Sequence, residues 1–159
     1  MDEALETTAA GQRLYKRRIL IVDDDPDVLA ILKQAMQAEG GLTQCASDGN
    51  TAVHICETDP PDLLLLDMML PKRSGFLVLE RVKLQDNAPV TIMVTANEGK
   101  RHEAYAKTLG VDAYMHKPLR LEKLIETAEE LLNERDRRRG DQPAAAQVEA
   151  EAESDADEG

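Results

Sequence analysis

Residues 62–71 read DLLLLDMMLP, and the fold turns on this stretch. Leu63 to Leu66 show no polar alternation, the pattern of a strand covered on both faces, although a run this short also fits a buried helix. Pro60 and Pro61 before it and Pro71 after it favour a short strand. Asp67 then stands at the carboxyl end of that strand, where open parallel sheets form their ligand crevices. Taken alone it would simply begin a turn.

Three more runs of strand length flank this one, ILIV at 19–22, LTQCAS at 42–47 and VTIMVTA at 90–96, and AYMHK at 113–117 makes a fifth. Helical spacing separates them. Val28, Ile31, Leu32, Ala35 and Met36 share one face behind Asp25 as N-cap and Pro26 as first helical residue, and Gly40 with Gly41 stops that helix. Asp48 with Gly49 opens a second, carrying Ala52, Val53, Ile55 and Cys56. Ser74 caps a third, with Phe76, Leu77, Leu79, Val82 and Leu84 as its apolar positions. A polar fourth spans about Glu98 to Leu109, and a fifth follows Pro118 with Leu121, Leu124, Ile125, Ala128, Leu131 and Leu132 on one stripe. Alternation of this kind predicts an α/β fold, a doubly wound five-stranded parallel sheet with five helices and right-handed crossovers.

The 159 residues suffice for one core. Residues 1–17 read as a flexible leader with a turn of helix near Leu14 and Tyr15, residues 18–134 as the folded domain, and residues 135–159 as a disordered charged tail. Nineteen basic against thirty-one acidic residues give a net charge of -12, which argues against direct binding to nucleic acid. The first residues carry no apolar block of signal or anchor type, so a cytoplasmic protein without a membrane segment is expected. Cys45 and Cys56 have no second Cys or His at metal-ligand spacing and read as buried reduced thiols.

With all strands parallel, Asp23 and Asp24, Asp67, Thr95 and Lys117 converge on one edge. Three acids exceed what one helix cap uses, and Asp25 fills that role, which leaves Asp23 and Asp24 for another. Carboxylates gathered in one crevice repel one another unless a cation sits among them, and sulfur-free oxygen ligation suits Mg²⁺. An ammonium and a hydroxyl facing such a carboxylate suit a transferred phosphoryl group, with Asp67 as nucleophile.

The joint pattern of VDDDPD, LLLLDMMLPKRSGF, MVTA and YMHKPL resembles the receiver domain of two-component response regulators, a flavodoxin-like fold seen in stand-alone chemotaxis regulators. The resemblance implies that Asp67 is the phosphorylation site and that Asp24, Asp67 and the Met69 carbonyl hold Mg²⁺, with Asp23 assisting through water. It also implies that Thr95 and Lys117 engage the phosphoryl group, that Lys117–Pro118 is a cis peptide, and that Tyr114 is the switch aromatic beside Thr95; core packing is the rival reading of Tyr114. Met68 and the Met69 side chain are expected to pack, and Met69 and Asn97 to flank the water path that sets acyl-phosphate lifetime. The implied partners are a sensor histidine kinase or a histidine phosphotransfer protein, and a downstream protein bound through the face of helix four, strand five and helix five. Homodimer formation on phosphorylation is a further option.

The function so implied is that of a single-domain response regulator, a switch that promotes only its own phosphoryl transfer and dephosphorylation. Two alternatives compete with it. A phosphorylation-independent adaptor would have no need of Thr95 and Lys117 together. An aspartate-nucleophile phosphotransferase would place a second acid two residues after the nucleophile, where Met69 stands.

Overall fold

The computed structural model describes residues 11–96 and 99–141. β1 (Arg18–Val22), β2 (Leu42–Ala46), β3 (Leu63–Leu66), β4 (Val90–Thr95) and β5 (Ala113–His116) alternate with α1 (Pro26–Ala38), α2 (Gly49–Thr58), α3 (Gly75–Lys83), α4 (Lys100–Thr108) and α5 (Leu121–Asp141). The strands form one sheet in the order β2-β1-β3-β4-β5, and every neighbouring pair is parallel. This is the doubly wound α/β fold that the alternation of runs predicts.

The unbroken leucine run has a direct physical explanation. Side chains alternate between the two faces of a strand, and each face here is covered by helices. Leu63 and Leu65 join Ile19, Ile21, Ile92 and Val94 in a core beneath α1 and α5. Leu64 and Leu66 join Leu20, Val22 and Met93 in a second core beneath α2, α3 and α4. All four leucines are therefore at most 1% exposed.

The helix starts follow their caps. Asp25 accepts from the Asp27 amide, Asp48 from Thr51 and Ser74 from Leu77, each side chain satisfying an amide that the first turn leaves open. Gly40 lies at φ +90°, a conformation that ends α1 readily with glycine and poorly with other residues.

Four expectations need correction. The leader, expected to be loose through residue 17, is packed from Gly11 onward: Leu14 is fully buried in the α1–α5 core, and its amide donates to the Glu39 carbonyl at 2.9 Å. One leucine in a polar stretch is too weak a periodic signal to reveal this, yet it finds the gap between α1 and α5. The tail, expected to be disordered from residue 135, is helical to Asp141. Its start is held by charge rather than by a core: Arg135 donates to the Asp62 carboxylate at 3.1 Å, Arg17 to Asp136 at 2.7 Å, and Arg138 to Glu134 one turn back at 3.2 Å. On α3, Leu77 points to solvent, as does Leu84 at the C-cap just past the helix, while Val78 joins the expected Leu79 and Val82 in the α2–α4 core. Ile31 on α1 is also exposed, its neighbour Leu32 taking the core position. Residues 1–10 and 142–159, which include the remainder of the leader and of the tail, lie outside the described residues, as do Asn97 and Glu98.

Candidate phosphoacceptor and cation site

Parallel pairing brings the strand ends together. Asp23 follows β1, and its amide donates to the Ala46 carbonyl at 3.2 Å; Asp67 follows β3, and its amide donates to the Val22 carbonyl at 3.0 Å. The last ladder bond between β4 and β5 runs from the Lys117 amide to the Thr95 carbonyl at 2.9 Å, which places residue 117 beside the end of β4. The Lys117–Pro118 peptide bond is cis.

Asp23, Asp24 and Asp67 each offer a carboxylate oxygen, and these oxygens all lie within 4.8 Å of one another. Asp23 and Asp67 are buried, at 2% and 6% exposure, whereas Asp24 is exposed. Burial pushes the Asp67 carboxyl above the usual aspartate range, and the Asp23 charge pushes it further, against the opposing pull of Lys117 and of the Met69 and Met68 amides. Lys117 Nζ stands 2.7 Å from Asp23 Oδ2 and 3.7 Å from Asp67 Oδ2. Burial by itself would lower the Lys117 pKa, but the hydrogen bond to Asp23 and the charges of Asp67 and Asp23 together raise it.

Formal charges show what such a cluster can accept. Three carboxylates and one ammonium sum to minus two, in a crevice where two of the acids are buried. A divalent cation would bring the sum to zero. The donors are all oxygen, as a hard ion such as Mg²⁺ requires, so the residues present fit that ion.

Thr95, fully buried at the end of β4, completes the edge. Tyr114 lies on β5, opposite Met93, and packs against the α2–α4 core; its ring meets His116 edge-on at 5.4 Å. Its hydroxyl oxygen is buried with no hydrogen-bond partner among the described residues. Burial, and then the Glu103 charge, push that hydroxyl's pKa up. Met68 is buried as expected, but the Met69 side chain is 65% exposed and does not pack. The β3–α3 turn swings position 69 outward, leaving its amide 3.4 Å from Asp67 Oδ1.

Two features escape a reading of caps and strand ends. A Cβ at Gly75 would collide with the Asp67 carbonyl, so α3 begins directly against the backbone of Asp67. A Cβ at Gly49 would collide with the Arg73 carbonyl, so α2 begins against the loop that follows. In the sequence Gly49 reads, with Asp48, only as the opening of a helix, and Gly75 simply follows the cap Ser74, so neither contact is legible there.

The family described as the response regulator receiver domain matches residues 19–129, and the chain belongs to it. A curated relative is the transcriptional regulatory protein TrcR of Mycobacterium tuberculosis, 37% identical over 108 residues. The match covers 68% of this chain and 42% of TrcR, so the chain spans less than half the length of that relative. Among solved structures, the CheY-like receiver domain protein of Methanospirillum hungatei is 32% identical, with a TM-score of 0.73 over 77% of this chain and 98% of that one. The receiver domain of sensor histidine kinase PA1611 from Pseudomonas aeruginosa, solved with a magnesium ion in its active-site cleft, shares the fold at 23% identity and a TM-score of 0.69, covering 74% of this chain and 98% of that one. No helix among the described residues is long and apolar enough to cross a membrane.

Proposed function

We propose that the chain is a phosphoacceptor switch in which Asp67 receives a phosphoryl group from the phosphohistidine of a sensor kinase or phosphotransfer protein. The observation that carries this reading is the grouping of Asp23, Asp24 and Asp67 oxygens within 4.8 Å, with Lys117 Nζ reaching two of the three acids. In the transfer, an Asp67 carboxylate oxygen forms a bond to phosphorus as the phosphorus–nitrogen bond to the donor imidazole breaks, and that nitrogen leaves with the bond's electron pair.

Asp24, Asp67 and the Met69 carbonyl would hold Mg²⁺, with Asp23 assisting through water. The bound ion would neutralise charge on the phosphoryl oxygens. Lys117 supplies an ammonium to the same oxygens and Thr95 a hydroxyl. Each is held by the β4–β5 ladder, so neither must be gathered at the moment of transfer. Tyr114, next to this ladder, serves as the switch aromatic, and its buried hydroxyl, without a hydrogen-bond partner among the described residues, gives it a reason to change position.

Output runs through protein contacts on α4, β5 and α5, and the domain promotes only its own phosphorylation and dephosphorylation. The test is intact mass after incubation with acetyl phosphate, with and without Mg²⁺, on wild type and Asp67→Asn. A Mg²⁺-dependent, hydroxylamine-labile gain of one phosphoryl group that the variant loses supports the reading. No gain in a folded wild-type protein overturns it.

A further inference from the structure

The loop between β3 and α3 carries two of the groups assigned to the cation, and it does not stand alone. Pro71 and Arg73 of this loop bond to Gly49 and Asn50 at the start of α2, and Lys72 between them acts there through its charge alone. The Gly49 amide donates to the Pro71 carbonyl at 3.2 Å. The Lys72 ammonium acts on the Asp48 carboxylate, though the Thr51 amide dominates there. Arg73 Nε donates to Asn50 Oδ1 at 3.1 Å.

The fit is close as well as bonded. A Cβ at Gly49 would overlap the Arg73 carbonyl and come within 2.6 Å of the Arg73 Cβ, so the two backbones are in direct contact. Lys72 lies at φ 69°, a left-handed conformation that a residue with a branched or long side chain keeps only where its surroundings hold it. The Arg73 amide folds back on the Pro71 carbonyl at 2.7 Å, making the turn compact. From there the path to the site is short: the Gly75 amide donates to the Met68 carbonyl at 2.8 Å, and Gly75 abuts the Asp67 backbone.

We infer that the start of α2 is a brace for the acceptor loop and that Arg73, bonded to Asn50, is a positioning residue for the cation site rather than a ligand of it. A metal ligand supplied by a backbone carbonyl has no rotamer of its own, so its direction depends on whatever fixes the loop. The inference rests on the reading of Asp24, Asp67 and the Met69 carbonyl as that site.

The test uses the full chain and Mg²⁺ alone, titrated calorimetrically into wild type, Arg73→Ala, Asn50→Ala, the double variant and Asn50→Asp. Melting in EDTA and hydrogen exchange of the Met69 to Ser74 amides in EDTA accompany it. Each alanine variant should weaken Mg²⁺ binding on the order of tenfold, the low end for partners outside the ligand set. The double variant should be no weaker than either single, because both remove one interaction. Asn50→Asp keeps the acceptor oxygen and should restore affinity. Loop amides should exchange faster in the alanine variants without Mg²⁺.

Lower melting temperatures with unchanged Mg²⁺ affinity would overturn the inference, leaving Arg73 a purely structural contact. Additive losses in the double variant would do the same. Should wild type bind no Mg²⁺, the cation reading itself fails, and the exchange data then decide whether the brace exists: unchanged loop exchange in Arg73→Ala removes it.

Discussion

Lys117 donates to Asp23 at 2.7 Å, a shorter contact than the 3.7 Å it makes with Asp67, so in this state the ammonium belongs first to Asp23 and only second to the proposed acceptor. Asp23 is almost fully buried and depends on that partner. Lys117→Met should therefore destabilise the protein in EDTA by about 1–3 kcal/mol, toward the lower end because the Lys117 side chain is 24% exposed. The same change takes the formal charge of the site from minus two to minus three. Added Mg²⁺ should then recover more melting temperature in the variant than in wild type. Melting curves with EDTA and with excess Mg²⁺ check both halves, and an undiminished melting temperature in EDTA would show that the pair contributes nothing.

Asp67 gives a pH prediction of definite sign. Its carboxyl is raised above the ordinary aspartate range by burial and by Asp23, so the ionised form opposes folding once the pH exceeds its folded-state pKa. Without Mg²⁺, Asp67→Asn should be more stable than wild type at neutral pH. That advantage should shrink as the pH falls through the window that begins at the raised value and ends at the ordinary one. Lys117 follows the same sign in a higher pH range, although there the favoured form is the charged one: its pKa is raised, so its contribution is complete below its ordinary pKa and is lost only as the pH climbs through the raised one. Denaturant melts of the two proteins across the acid range would measure the difference, and a constant offset at every pH would refute this account.

The segment before β1 should be as necessary as the sheet. Leu14→Ala removes a fully buried side chain from the α1–α5 core and is expected to cost about 2–5 kcal/mol in chemical denaturation. Arg17→Ala, which breaks a partly exposed pair with Asp136, should cost at most about 1 kcal/mol. A Leu14→Ala effect as small as that of Arg17→Ala would mean the segment is not part of the folded unit.

What could be read from the sequence, and what could not, divides along physical lines. β3 was legible because a strand covered on both faces must be apolar throughout, and Leu63 to Leu66 are. Asp23, Asp24, Asp67, Thr95 and Lys117 were legible as neighbours because parallel topology sends every strand end to one edge. Leu14 was not, since a single residue filling a gap has no period. The helical run from Arg135 to Asp141 was hidden for another reason: its order comes from ion pairs with Asp62, Arg17 and Glu134, and two of those partners are distant in sequence. Backbone contacts at Gly49 and Gly75 leave no side chain to read at all.

The two thiols should differ in reactivity. Burial pushes Cys56 up to about 12, and the Glu57 charge adds to it, whereas Cys45 is only half-buried and its burial-driven rise is opposed by the Lys33 charge. Thiolate is the reactive form, so in native protein at neutral pH Cys45 should label first with a disulfide reagent and Cys56 only on unfolding. Peptide mapping of the labelled protein distinguishes them, and early labelling of Cys56 would show that the α2–α4 core opens readily.

α4 should be the helix most easily released. Ala106 is its one buried residue, and its side of the molecule is joined to α3 by Phe76, whose ring stacks on His102 at 5.8 Å and meets Tyr105 edge-on at 5.1 Å. An aromatic pair of this geometry contributes about 0.5–1.5 kcal/mol beyond its buried area. Phe76→Ala removes both ring contacts while leaving the Ala106 anchor in place. Amides of α4 should then exchange on the order of tenfold faster, while those of β1 and β3, in the centre of the sheet, change only with global stability. If the amides of α4 and β3 accelerate together by the same factor, α4 opens only with the whole molecule. In that case Phe76 supports the fold at large, and the α4 side of the proposed output face has no independent freedom to respond to Asp67.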